Sequence, residues 1–102
     1  MNRGEVWLAQ VGRKRRPVLV LTRTDVIAVR TLVTVAEITS SIRGISAEVL
    51  VDHQSVGLDR ESAVNCDGLH TVTQASLTRR VGQLDDLTME QVCVALNHAL
   101  DC

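Results

Sequence analysis

Thr31-Leu32-Val33-Thr34-Val35-Ala36-Glu37-Ile38-Thr39 is the most β-rich stretch of this 102-residue chain. Thr31, Val33, Val35, Glu37 and Thr39 share one face of a period-two pattern, the signature of an extended strand. Upstream, Pro17-Val18-Leu19-Val20-Leu21-Thr22 is a continuous apolar run between turn signals, which suits a strand buried on both faces. Pro17 is expected at that strand's first position, where a missing N–H is tolerated, and it biases Arg16 toward extended backbone. Working outward, residues 4–10 read as a short strand and 12–15 as a polar, cationic loop. Residues 40–44 read as a loop and 47–51 as a strand. Residues 52–61 form a polar connection carrying Gly57. A further strand is expected over 62–72, broken near Gly68, and a last one over 79–84.

The period then changes. Met89, Val92, Cys93, Leu96, Ala99 and Leu100 follow three-and-four spacing, which predicts an amphipathic helix over 88–100. Thr88 with Gln91 reads as a capping box, and Asp85 and Asp86 set negative charge near the helix's positive end. Five or six short strands followed by one helix make a mainly β chain. The expected architecture is a small antiparallel barrel with a helix packed on it, a single domain over 1–102.

Composition narrows the function classes. The chain has no Phe or Tyr and one Trp, so its core must be built from Val, Leu, Ile and Ala. With so little aromatic area to bury, a chain of this length gains from pairing with a second copy, and a homodimer is expected. The three cysteines, Cys66, Cys93 and Cys102, are odd in number and lack CxxC spacing, against a disulfide framework or a zinc site. The three histidines show no metal spacing. No apolar run approaches a membrane span and no leader precedes the first strand, so a cytoplasmic protein with no membrane partner is expected. Net charge is −1, yet Arg13, Lys14, Arg15 and Arg16 form a cationic run and Arg79 and Arg80 a second pair. A locally basic patch on a neutral chain fits phosphate contacts.

No nucleophile elbow, Walker loop, HExxH or well-spaced carboxylate pair is present. Phosphodiester chemistry would therefore run on side chains alone, without a cofactor or metal. RNA permits this, because its 2′-hydroxyl is an internal nucleophile. A guanidinium neutralises the phosphorane with paired donors, and a hydroxyl on a neighbouring strand holds a second oxygen. Arg16 precedes one apolar strand, and Thr39 ends another and is followed by Ser40 and Ser41. Polar residues at a barrel rim are where such folds place sites, although an Arg or Thr at a strand end is more often a plain solvated residue.

Six blocks, in order, then carry a resemblance. They are Arg3-Gly4-Glu5-Val6-Trp7-Leu8, Arg16-Pro17-Val18-Leu19-Val20-Leu21, Val35-Ala36-Glu37-Ile38-Thr39-Ser40, the Gly57–Val64 block with Cys66-Asp67, His70-Thr71-Val72, and the Leu77–Leu84 block. The chain resembles the MazF/PemK family of toxin endoribonucleases along nearly its whole length. That resemblance implies an SH3-like barrel, a homodimer, and a toxin paired with a MazE-like antitoxin. It also implies sequence-specific cleavage of mRNA or tRNA that leaves a 2′,3′-cyclic phosphate and a 5′-hydroxyl, inhibiting translation and growth. By position, Arg16 matches the family's catalytic arginine and Thr39 its catalytic threonine. Arg13, Lys14, Arg15, Ser40, Ser41, Glu37, Asp67 and His70 are expected to contact RNA.

The chain also departs from the family's pattern. The first loop shrinks to residues 11–15 and lacks the acid or histidine offered as a base in some relatives. Asn65-Cys66-Asp67 stands where one branch has Arg-Cys-Asp. Glu37 replaces a common Pro, and Gly68 a common Gln. Glu37, on the face of Thr39, and Asp67 are the two candidates for the base. A short basic loop could open the groove to a folded RNA such as a tRNA loop. The alternatives are a CcdB-like toxin that binds DNA gyrase without catalysis, and an inactive antitoxin-binding relative.

Overall fold

The computed structural model describes residues 1–11 and 13–102. Six strands form one antiparallel sheet: β1 (Glu5–Val11), β2 (Lys14–Val20), β3 (Leu32–Thr39), β4 (Glu48–Val51), β5 (Ser62–Thr73) and β6 (Leu77–Gln83). They lie in the order β4-β5-β3-β2-β1-β6, and a C-terminal helix, α2 (Asp86–Leu100), packs on β4 and β5. A short helix, α1 (Thr24–Ile27), and a single 3₁₀ turn at Gln74–Ser76 complete the chain; neither has a periodic sequence long enough to read in advance.

The sheet buries both faces, which explains the unbroken apolar run of β2. Leu19 belongs to a core under α2 with Val6, Ala36, Ile38, Val64 and Val92, while Val18 and Val20 turn into a second core with Val33, Val35, Ile27 and Leu77. In the helix, Val92 and Ala95 are buried and Met89, Leu96 and Ala99 pack partly against the same core, the expected apolar stripe. The cap differs from its prediction. Asp85, not Thr88, is the N-cap, and its carboxylate accepts the Thr88 N–H at 2.7 Å. The Asp85 carboxylate, on the extended residue before the helix, reaches the third amide of the first turn, so Thr88 serves as donor rather than cap.

Strand pairing is open between β4 and β6, and the connection after β4 fills the gap. Gly57 takes φ +78, and a Cβ on it would come within 2.9 Å of the Val81 carbonyl on β6. A Cβ on Gly82 would meet the Val56 carbonyl more closely still. Two positions without side chains let residues 52–58 lie flat on β6, completing an SH3-like barrel whose hydrogen-bonded sheet does not itself close.

Two boundaries correct the sequence expectations. Lys14 and Arg15 belong to β2, paired with Val11 and Gln10 of β1, rather than to a loop over 12–15; Gly12 lies outside the described residues. Pro17 sits mid-strand opposite Leu8, not at the strand's start, and the ladder toward β3 begins one residue later at Val18↔Glu37. The ladder with β1, which runs from Val6↔Leu19 to Val11↔Lys14, carries the pairing past the proline, while the β3 side goes unpaired where Pro has no N–H to give.

Candidate active site

The unpaired stretch between β2 and β3 is where the site forms. Continuing the Val18↔Glu37 register two places sets Arg16 opposite Thr39, on the face shared by Glu37. Two adjoining cavities open there, of about 300 and 270 Å³. Arg16, Pro17, Ile38, Thr39 and Ser41 line both. The first is completed by Ser40 and by Leu58, Asp59 and Arg60 of the loop that closes the barrel; the second by Glu37, Arg43 and Asn65.

Each wall has a local cause. The Ser41 N–H donates to Thr39 Oγ1 at 3.0 Å, which fixes the hydroxyl and leaves its hydrogen to donate outward. The following loop is held by Glu48, whose Oε1 accepts the backbone N–H groups of Arg43 and Gly44, both at 2.9 Å. Burial opposes ionisation of Glu48, but these donors and the Arg43 side chain outweigh it and set its carboxyl below the ordinary value. On the far wall β5 pairs irregularly. Ala36 faces Leu69 and Glu37 faces Asn65, so residues 66–68 are bulged out. The predicted break near Gly68 is this bulge within a continuous strand; Cys66 lies in the core, and Gly68, at the edge of the bulge, stays against Glu37.

The electrostatics separate the cations. Arg80 pairs with Glu5 and Arg43 with Glu48. Among the described residues, the side chains of Arg13, Lys14, Arg15, Arg16 and Arg79 make no hydrogen bond or ion pair. An exposed, unneutralised Arg16 beside a fixed hydroxyl is an arrangement that grips a phosphodiester with a guanidinium fork and a single donor. Cys66 is not a nucleophile here. Burial pushes its thiol up to about 11, with the neighbouring Asp67 and Cys93 adding to the shift.

Of the residues expected at the site, the fold brings Arg16, Thr39, Ser40, Ser41 and Glu37 together. His70 joins through Glu37: its Nε2 lies 2.8 Å from Glu37 Oε1. Arg15 lines a neighbouring groove of about 410 Å³ with Leu8, Pro17, Leu58 and Arg79. Asp67 is exposed and lines neither cavity; its N–H is taken by Asn65 Oδ1 at 3.0 Å. Arg13 and Lys14 stand on the hairpin outside both cavities. Sequence reading missed Arg43, Asn65, Asp59 and Arg60, which reach the rim through a loop closure and a bulge that leave no periodic trace. Among the described residues, no group of three His, Cys, Asp or Glu side chains could hold a metal ion.

Fold and site together define a small SH3-like barrel with a cationic, hydroxyl-bearing cleft at its rim. The chain belongs to the PemK-like, MazF-like toxin family of type II toxin–antitoxin systems, whose sequence model matches residues 2–100. It is 43% identical over 103 residues to the probable endoribonuclease MazF5 of Mycobacterium tuberculosis, covering 98% of this chain and 93% of that one. It is 41% identical to endoribonuclease MazF3 of the same organism, covering 94% and 91%. Among solved structures, Mycobacterium tuberculosis toxin MazF-mt6 superposes with a TM-score of 0.89 at 39% identity, over 95% of this chain and 96% of that one.

Proposed function

We propose that this chain is the toxin of a type II toxin–antitoxin pair and acts as an endoribonuclease, with Arg16 and Thr39 as catalytic residues in a single domain over 1–102. The observation that carries the site assignment is the convergence of Arg16, free of any partner among the described residues, and a Thr39 hydroxyl oriented by Ser41 on one cleft. The activity follows from membership of the family and from relatives named endoribonucleases. Arg16 neutralises the phosphate as the 2′-oxygen attacks phosphorus and the bond to the 5′-oxygen breaks. Thr39 donates to a second phosphate oxygen, and Ser40 and Ser41 line the path of the strand. The products are a 2′,3′-cyclic phosphate and a 5′-hydroxyl, formed without a metal. The unpaired cations of the β1–β2 hairpin hold flanking phosphates of an mRNA or of a tRNA loop.

The partners follow from the same reading. A MazE-like antitoxin covers the cleft with an acidic segment that mimics phosphates. The toxin is a homodimer in the cytoplasm, and exposed Leu50 on edge strand β4 and Val94 on α2 offer apolar area for the second copy. Among the described residues, no helix is long and apolar enough to cross a membrane.

Incubation of the purified protein with total RNA in EDTA, followed by sequencing of 5′-hydroxyl ends, tests the activity. The expected result is cleavage at a short recurring sequence, lost in Arg16→Ala while that variant keeps its fold and dimer. Intact RNA with the wild-type protein, or restoration only by a divalent ion, would refute the reading.

A further inference from the structure

A carboxylate in a phosphate-binding cleft is an electrostatic liability. Glu37 lines the same cavity as Arg16 and Thr39 and is two residues from Thr39 on the same strand face. Its negative charge repels the substrate, so a site selected only to hold RNA would carry a neutral residue there. Glu37 is also held in place from two sides. His70 of β5 approaches its Oε1 at 2.8 Å, and Gly68 of the bulge leaves room for Oε2: a Cβ at position 68 would stand 2.7 Å from that oxygen and 3.0 Å from Asn65 Nδ2. Position 37 and position 68 are two of the places where the sequence departs from its family's pattern. In the fold the departures meet, the acid at one filling the space vacated at the other. The spacing suits the chemistry, since side chains two residues apart on one strand face stand about 7 Å apart at their bases and can converge on one phosphate and its neighbouring 2′-hydroxyl.

We propose that Glu37 is the general base that removes the 2′-hydroxyl proton, and that His70 and Gly68 are positioning residues that aim its carboxylate. The assignment rests on the RNA-cleaving reading above and deepens it. The 2′-O–H proton passes to the Glu37 carboxylate and the 2′-oxygen forms its bond to phosphorus. The phosphorus–5′-oxygen bond breaks with its electron pair on the 5′-oxygen, which takes a proton from water, and the hydroxide left is neutralised by the proton that Glu37 then gives up. Asp67 is set aside by its place outside both cavities. The titratable and charged groups facing the Glu37 carboxylate are the His70 imidazole beside it and Arg16 and Arg43 on the cavity wall.

Cleavage of a long single-stranded transcript by the full chain decides the matter, with affinity for an all-deoxy, non-cleavable oligonucleotide measured alongside. Glu37→Gln should lower kcat by about 10²–10³-fold with affinity unchanged or tighter, since the repelling charge is gone. Glu37→Ala should be partly rescued by added formate, which no structural role would produce. Gly68→Ala, which displaces a flexible side-chain end rather than backbone, should lower kcat by about tenfold or more and leave affinity intact. His70→Gln should lower kcat by less than Glu37→Gln and shift the acid limb of the pH profile. Asp67→Asn should do little. Glu37→Gln cutting as fast as wild type, or Asp67→Asn or His70→Gln abolishing cleavage while Glu37→Gln is spared, would overturn the assignment. Wild-type protein that binds the oligonucleotide but cuts nothing would instead refute the endoribonuclease reading itself.

Discussion

Two strand carboxylates, Glu5 of β1 and Glu37 of β3, have surroundings that differ in kind. Glu5 is buried, and its oxygens accept the Asn2 N–H at 2.8 Å, the Trp7 indole N–H at 3.1 Å and the Arg80 Nε–H at 3.0 Å. Burial raises its pKa, but these donors and the Arg80 charge more than compensate and hold it below the ordinary value. The Glu37 side chain is 41% exposed and has one partner among the described residues, His70. A carboxylate saturated with donors is a structural tie: it fixes the start of β1 to β6. One with a single partner and an open side facing a cleft can still take a proton. The same contrast runs through the arginines, for Arg80 is committed to Glu5 whereas Arg16 is uncommitted among the described residues.

The largest expected effects lie at these two arginines and should be opposite in kind. Arg16→Ala should reduce kcat/KM for RNA by about 10²–10³-fold, or about 3–4 kcal/mol of transition-state stabilisation. Its urea midpoint should match wild type, because no described residue loses a partner. Arg80→Ala should leave activity per folded molecule intact and cost about 2 kcal/mol of stability, because it strips the cation from a buried carboxylate. If Arg80→Ala cuts poorly while fully folded, or Arg16→Ala unfolds, the division between tie and tool fails.

The next effect sharpens the contrast through pH. The Glu5 pKa is lowered on folding, so its contribution is fully present above the unfolded value near 4.5 and is lost as pH falls through the folded value. Glu48, and Asp85 through its bond to Thr88, act with the same sign. Urea unfolding followed downward from pH 6 should therefore show stability falling below about pH 4.5, and Glu5→Gln should flatten part of that slope. An unchanged slope in Glu5→Gln would mean that its donors do not discriminate between its charged and neutral forms.

Much of this was legible in the sequence, and the remainder was hidden for identifiable reasons. Period-two alternation over β3 placed Glu37 and Thr39 on one face, and the apolar run of β2 announced burial on both faces, because strand side chains obey a local rule. Arg16 could be paired with Thr39 only through the family resemblance, since register between strands is set by tertiary pairing. His70 and Gly68 lie more than thirty residues from Glu37, and only the antiparallel pairing of β3 with β5, with Val35 opposite His70, brings them together. The N-cap was misplaced by three positions because Thr88-Gln91 and Asp85-Thr88 are both acceptable caps locally, and the helix takes the upstream one. Arg43 reaches the rim because Glu48 ties down its loop, an interaction across five residues with no periodic signature.

The smallest effect concerns the hairpin cations. Lys14 and Arg15 are exposed and, among the described residues, unpaired, so any phosphate they meet is held through water and screened by salt. Removing one such cation should change the slope of log affinity against log salt by about 0.7, the value for a single strand. Lys14→Ala with Arg15→Ala should therefore weaken binding of an all-deoxy oligonucleotide at low salt, flatten the slope by about 1.4, and converge with wild type as salt rises. Arg80→Ala, which removes the same charge from a residue already tied to Glu5, should leave the slope unchanged. Flattening by about 0.7 in Arg80→Ala, half that of the double variant, would show that net charge, rather than which cations are uncommitted, governs binding of the strand.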